Sequence, residues 1–186
     1  MKFKSLTLTS CLAAAITALP ALSLAAPKSV EPVGTEAFEV LKDFRAQAYQ
    51  AAEHASELQS IVRSPNYGSW EDHAYELEAL KNDINKMGQI LSQLEKIRDS
   101  AAPSERAAID RAAPLLKLMA DNTRAAVQFL NKHQGNFWLP AYGKDIDNLA
   151  NESRQLSSSM GQFIQFAKVH SKEKHLEKTL GLEAGS

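Results

Sequence analysis

Five histidines, His54, His73, His133, His170 and His175, are the side chains of this 186-residue chain best suited to proton transfer or metal ligation. Their spacing decides what they can do. A di-iron site in a helical core takes Glu-x-x-His from two helices plus further glutamates, because i and i+3 project inward together. No Glu-x-x-His is present, nor HExxH, GxSxG or a Walker loop. The nearest approach to a calcium loop, Asp145-Ile146-Asp147, lacks the turn glycine and the closing glutamate. Ser171-Lys172-Glu173-Lys174 matches Ser-x-x-Lys, but a Ser/Lys nucleophile also needs a pocket and an oxyanion hole, which a solvated helix end does not supply. Met87, Met119 and Met160 suit a soft metal by ligand type; at helical spacing such residues ordinarily fill core gaps. The residue types therefore predict no catalytic residue and no cofactor. They leave His73 and His133 as the metal-ligating candidates, provided the fold brings the two together.

The elements that must do so are legible as a repeat. Ala37, Leu41, Phe44, Ala48, Ala51, Ala55, Leu58 and Val62 recur at alternating spacings of four and three, a period no strand produces. Thr35 is the expected N-cap of this first helix, and Ser64-Pro65-Asn66-Tyr67-Gly68 its stop. The second helix opens at Ser69, with Glu71 and Asp72 in its first turn, and repeats through Trp70, His73, Leu77, Leu80, Ile84, Met87, Leu91 and Leu94. Its bulky seam suits the alanine-rich face of the first. The third runs from about Ser104 to His133, with Pro103 suited to its first turn, through Ile109, Ala112, Leu116, Met119, Thr123, Ala126 and Leu130, with Leu115 and Phe129 widening the stripe. Pro114 predicts a kink there, or a separate short helix before it. The fourth starts at Pro140, with Leu139, Tyr142, Ile146, Leu149, Ser153, Leu156, Met160, Phe163, Ala167 and His170 on its seam.

Each helix should hold roughly 28 to 32 residues, about 42 to 48 Å. Connections of about 5 to 7 residues cannot carry the chain back along such a length, so successive helices must run in opposite directions. The expected fold is all-α: an up-down-up-down antiparallel four-helix bundle with coiled-coil-like heptad packing over residues 35–178, and a frayed tail at 179–186. In that arrangement His73 and His133 share one end with Trp70, Trp138 and Tyr142. They either bind a small ligand or metal (Zn²⁺, Cu²⁺ or haem) or cap the bundle, with aromatics sealing the core. His54 lies about 13 Å further down, beside the seam, and His170 and His175 belong to the opposite end. Charges such as Glu76, Glu78, Lys81 and Asp83 alternate in sign and read as solvated surface.

The composition, 44% hydrophobic and 23% charged with a net charge of −1, excludes wholesale disorder and gives no bulk attraction to nucleic acid or an anionic membrane. Lys2 and Lys4 precede an uncharged run from Ser5 to Ala26 that ends in Ser23-Leu24-Ala25-Ala26. That order is a secretory signal peptide, 1–25, with cleavage after Ala25 or Ala26, followed by an extended segment, 26–34. A retained membrane anchor, or lipidation at Cys11 within Leu8-Thr9-Ser10-Cys11, competes with that reading. Cleavage removes the single cysteine, so the exported chain would be cysteine-free, without disulfide or thiol chemistry, and would be held by packing alone.

Arg111-Ala112-Ala113-Pro114-Leu115-Leu116, Met119-Ala120-Asp121-Asn122-Thr123 and Lys174-His175-Leu176-Glu177-Lys178-Thr179-Leu180-Gly181, with the leader, resemble a family of small uncharacterised secreted bacterial helical-bundle proteins. The resemblance covers most of the exported chain and implies no activity. The expected protein is a non-enzymatic, periplasmic or secreted bundle acting by protein–protein contact or as an envelope-associated scaffold, a monomer or homodimer with no membrane span after cleavage. The alternative is a small-ligand or metal binder at the His73/His133 end.

Overall fold

A computed structural model describes residues 36–64, 68–136 and 139–181. The leader 1–25, the segment 26–34, Thr35, Pro65 to Tyr67, Phe137, Trp138 and the last residues of the tail lie outside the described residues. Within them the chain forms four helices and no strand: α1 (Glu36–Arg63), α2 (Trp70–Ile97), α3 (Pro103–Lys132) and α4 (Pro140–Leu180), with a 3-10 turn at Arg98–Ser100.

Local chemistry fixes the helix ends. Ser69 caps α2: its hydroxyl accepts from the Asp72 N–H at 3.3 Å, and the Asp72 carboxylate accepts from the Ser69 N–H at 2.8 Å. Those bonds, backbone first, hold the Asp72 carboxyl below its usual range. Gly68 is needed just before the cap, because a Cβ there would run into the Ile61 side chain and lie 3.1 Å from His73 Nε2. Pro103 and Pro140 occupy first-turn positions where no N–H is missed. Gly181, at φ 65°, ends α4 in the left-handed conformation that a side chain would disfavour.

The predicted seams are the core. Every seam position from Ala37 to Leu58 on α1, from His73 to Leu94 on α2, from Ile109 to Leu130 on α3 and from Tyr142 to Met160 on α4 is buried. At the two ends of the α4 seam burial fails: Leu139 lies outside the helix and is exposed, and Phe163, Ala167 and His170 are only half-buried. α1 packs along both α2 and α4, and α3 along α4 and, less extensively, α2; α1 and α3 touch only slightly across the middle. The alanines of α1 permit the close α1/α2 approach, Ala48, Ala51 and Ala55 being wholly buried.

Two expectations need correction. α3 is one continuous helix through Pro114, which removes the second of the two alternatives, a separate short helix before it. Pro114 is exposed, so the Asp110 carbonyl that loses its donor lies on the wet side of the helix, where water substitutes. α4 has 41 residues against 28 to 30 in the others, so the helices are not of equal length. Ile164 is its last buried residue, and the turns beyond about 170 extend past the start of α1 and α3.

Candidate functional site

Two polar clusters lie between the helices, and each is built around a histidine. The first is the end at which His73 and His133 were expected to meet. His73, on the seam of α2, is 2% exposed, and its Nδ1 is hydrogen-bonded to the Tyr142 hydroxyl of α4 at 3.1 Å. Phe129 of α3 stacks on Tyr142, with centroids 5.6 Å apart, and also lies against the His133 ring at 4.4 Å. His133 is the residue that closes the last turn of α3. The two histidines therefore belong to one cluster, connected by rings through Tyr142 and Phe129. Burial depresses the basicity of His73, against a smaller opposite pull from Asp72. Burial also drives the Tyr142 phenol far above its ordinary range. At neutral pH the hydrogen bond thus joins a neutral imidazole to a neutral phenol, an arrangement that fixes the ring and satisfies its polar edge. Among the described residues, no group of three or more His, Cys, Asp or Glu side chains is placed to hold a metal ion. Trp70 packs against the core at this end as expected, half-buried.

The second cluster was misread in the sequence. Asp83, taken for solvated surface, is 4% exposed. One carboxylate oxygen accepts from Gln47 Nε2 at 2.7 Å, and the other is 2.6 Å from His54 Nδ1. Lys86 Nζ is 3.9 Å away. The carboxylate thus orients the half-exposed His54 ring from the far side of the α1/α2 seam, placing the ring proton on Nδ1. Glu76, also assigned to the surface, is half-buried, with Oε2 enclosed and without a hydrogen-bond partner. Burial raises its carboxyl above the ordinary value; His54 exerts a smaller opposite pull, and the like charge of Glu57 adds a smaller push in the same direction. Glu78 and Lys81 do lie on the surface, paired with each other at 2.8 Å.

A signal for this cluster was present. Gln47, Ala51, His54 and Leu58 are spaced by four, three and four, as are Glu76, Leu80, Asp83 and Met87. Polar residues in step with a seam flank it and can reach across to the partner helix. Similar bridges tie α4 to its neighbours: Gln59 donates to Asp147 at 2.6 Å, and Asn122 to Glu152 at 2.8 Å. His170 and His175 lie on the far part of α4, His170 stacked on Phe166 and 3.6 Å from Glu173.

The surface of α4 beyond the core carries a further pattern. Phe166, Val169, Glu173, Leu176 and Leu180 continue the spacing of three and four along a face of their own. Phe166, Val169, Leu176 and Leu180 are 54%, 55%, 48% and 66% exposed. No helix among the described residues is long and apolar enough to cross a membrane. No protein-family model matches the chain, and neither a curated protein nor a solved structure matches it.

Proposed function

We propose that this protein is an exported, non-enzymatic up-down-up-down bundle that works by contact, as an interaction or scaffold protein of the cell envelope, and that the projecting end of α4 is its contact surface. One observation carries the reading: four large apolar side chains at heptad spacing on a helix that outruns its neighbours. Within the bundle such a stripe is covered by another helix; here it begins at Phe166 and Val169, at the edge of the bundle, and runs on to Leu176 and Leu180 beyond it, left for a partner. Contacts support the alternating direction of the helices. Across α1 and α2, Gln47 and His54 meet Asp83, while Ile61, further along α1, lies beside Gly68, before α2 begins. Across α1 and α4, Val62 approaches Gly143 and Arg45 approaches Gly161, so rising numbers on one helix meet falling numbers on the other. Export rests on Lys2, Lys4 and the apolar run to Ala26.

Photo-crosslinking side chains introduced at Leu176 and at Leu180 in the exported protein test the reading, with exposed Tyr75 on α2 as the control position. A discrete adduct from 176 and 180, absent from 75 and lost in a Phe166→Ser/Val169→Ser background, is expected. A strict monomer giving no adduct at either position overturns it. Mass spectrometry of the exported chain checks the leader, whose loss after Ala25 or Ala26 is expected.

A further inference from the structure

Two open cavities of nearly equal size flank α3. One, about 340 Å³, lies against α2 and carries the cations Lys81 and Arg124. Both are already engaged within their own helices, Lys81 by Glu78 and Arg124 by Asp121. The other, about 350 Å³, lies against α4 and is lined by Ser104, Arg111, Ser159, Gln162, Phe163 and Phe166. Among the described residues Arg111 is its single charged group and enters no ion pair. The residues converge by helical period: Ser104 and Arg111 are two turns apart on α3, and Ser159, Gln162, Phe163 and Phe166 line one face of α4. Two phenyl rings offer an apolar wall, a guanidinium offers a planar fork that matches a carboxylate, and hydroxyl and amide groups surround it. The volume is at the small end of ligand pockets, enough for one short acyl chain or a compact aryl group.

We propose that this α3/α4 cavity binds an amphipathic carboxylate, with its acyl or aryl body against Phe163 and Phe166 and its charged head on Arg111. Charge complementarity selects the class. A neutral amphiphile gains only the apolar contact, and a cation meets Arg111 as a like charge. The site shares Phe166 with the near end of the α4 stripe, but Arg111 belongs to the cavity alone and Leu176 and Leu180 to the stripe alone, so loss of one leaves the other testable.

Decanoate and decanol, titrated calorimetrically into the purified protein, separate the head from the body. Saturable 1:1 binding of decanoate is expected. Arg111→Gln should weaken it by about fivefold to tenfold, the scale of a partly exposed charge-assisted contact, while decanol binding stays unchanged. Arg111→Lys should recover part of the loss, and Lys81→Gln at the α2/α3 cavity should have no effect. Arg111 is exposed, so the helical signal should survive its replacement. If the variant nonetheless melts early, the unaltered protein reads the same charge: added salt should weaken decanoate binding and spare decanol. Absence of saturable decanoate binding, equal binding by Arg111→Gln, or the same loss in Lys81→Gln overturns the proposal.

Discussion

His54 and His73 sit on helices packed against each other, yet their surroundings are opposite. His54 flanks the α1 seam, half open to water, and faces a buried carboxylate that Gln47 also satisfies. His73 occupies the α2 seam itself, closed off from water, and faces a phenol. A polar side chain beside a seam can place its charged or wet edge outward and still bond across the helix pair. One on the seam must find its partner inside the core or leave a costly unsatisfied group. Position relative to the apolar stripe, a matter of a single residue in register, thus separates a bridging histidine from a sealing one.

The largest way to break that contrast is at Tyr142, which is 1% exposed. Tyr142→Ala removes the ring stacked on Phe129 together with the hydroxyl on His73, and should cost about 3–5 kcal/mol in urea unfolding. Tyr142→Phe keeps the ring and should cost about 1 kcal/mol. Equal losses would mean that the hydrogen bond, not the packing, anchors this end. At the bridging cluster the effect is smaller. Asp83→Ala leaves Gln47 and His54 without their acceptor, but both remain near water, so a loss of about 1–3 kcal/mol is expected. The Asp83→Ala/His54→Ala double mutant should lose less than the two singles together, because each single mutation already breaks the shared contact. Strict additivity would show that the 2.6 Å approach contributes nothing to stability.

The comparison also marks what the sequence could tell. Heptad spacing placed the four helices and most of their buried apolar positions, though not Phe38, Ala52, Ala108, Ala150 or Ile164, because burial of a stripe is a one-dimensional property that repeats. It brought His73 and His133 to one end, where the structure joins them through Tyr142 and Phe129. It missed Asp83, because a lone aspartate in a charged stretch reads as solvent-facing until a partner such as Gln47 is known to lie opposite. That pairing depends on the rotation of two helices about their axes, which sequence periodicity leaves free within a residue. Glu105, buried at the start of α3 near Phe38 and Ile164, was missed because a capping carboxylate, accepting the Ala102 N–H at 2.9 Å, is not part of an apolar repeat. The projecting end of α4 was missed for a different reason: a seam that continues in sequence gives no sign of where its neighbours stop.

The smallest expected effect is a pH slope, and its sign separates the two clusters. His73 has its basicity lowered by burial from an ordinary value of 6.5, so the unfolded chain takes up a proton there before the folded one does. Its contribution is fully present above pH 6.5 and is lost as pH falls through the lower folded value. Glu76, beside the His54 cluster, is shifted the other way: its contribution is full below its ordinary 4.5 and is lost as pH rises through the raised folded value. Unfolding free energy measured in urea at pH 7.5 and 5.5 should therefore fall less on acidification in His73→Gln than in the unaltered protein. In Glu76→Gln the loss should be steeper, because the opposing carboxyl is gone. An unchanged slope in His73→Gln would mean that the folded ring takes up its proton as readily as the unfolded one. The closed, neutral pairing with Tyr142 would then fail, and with it the distinction between the two histidines.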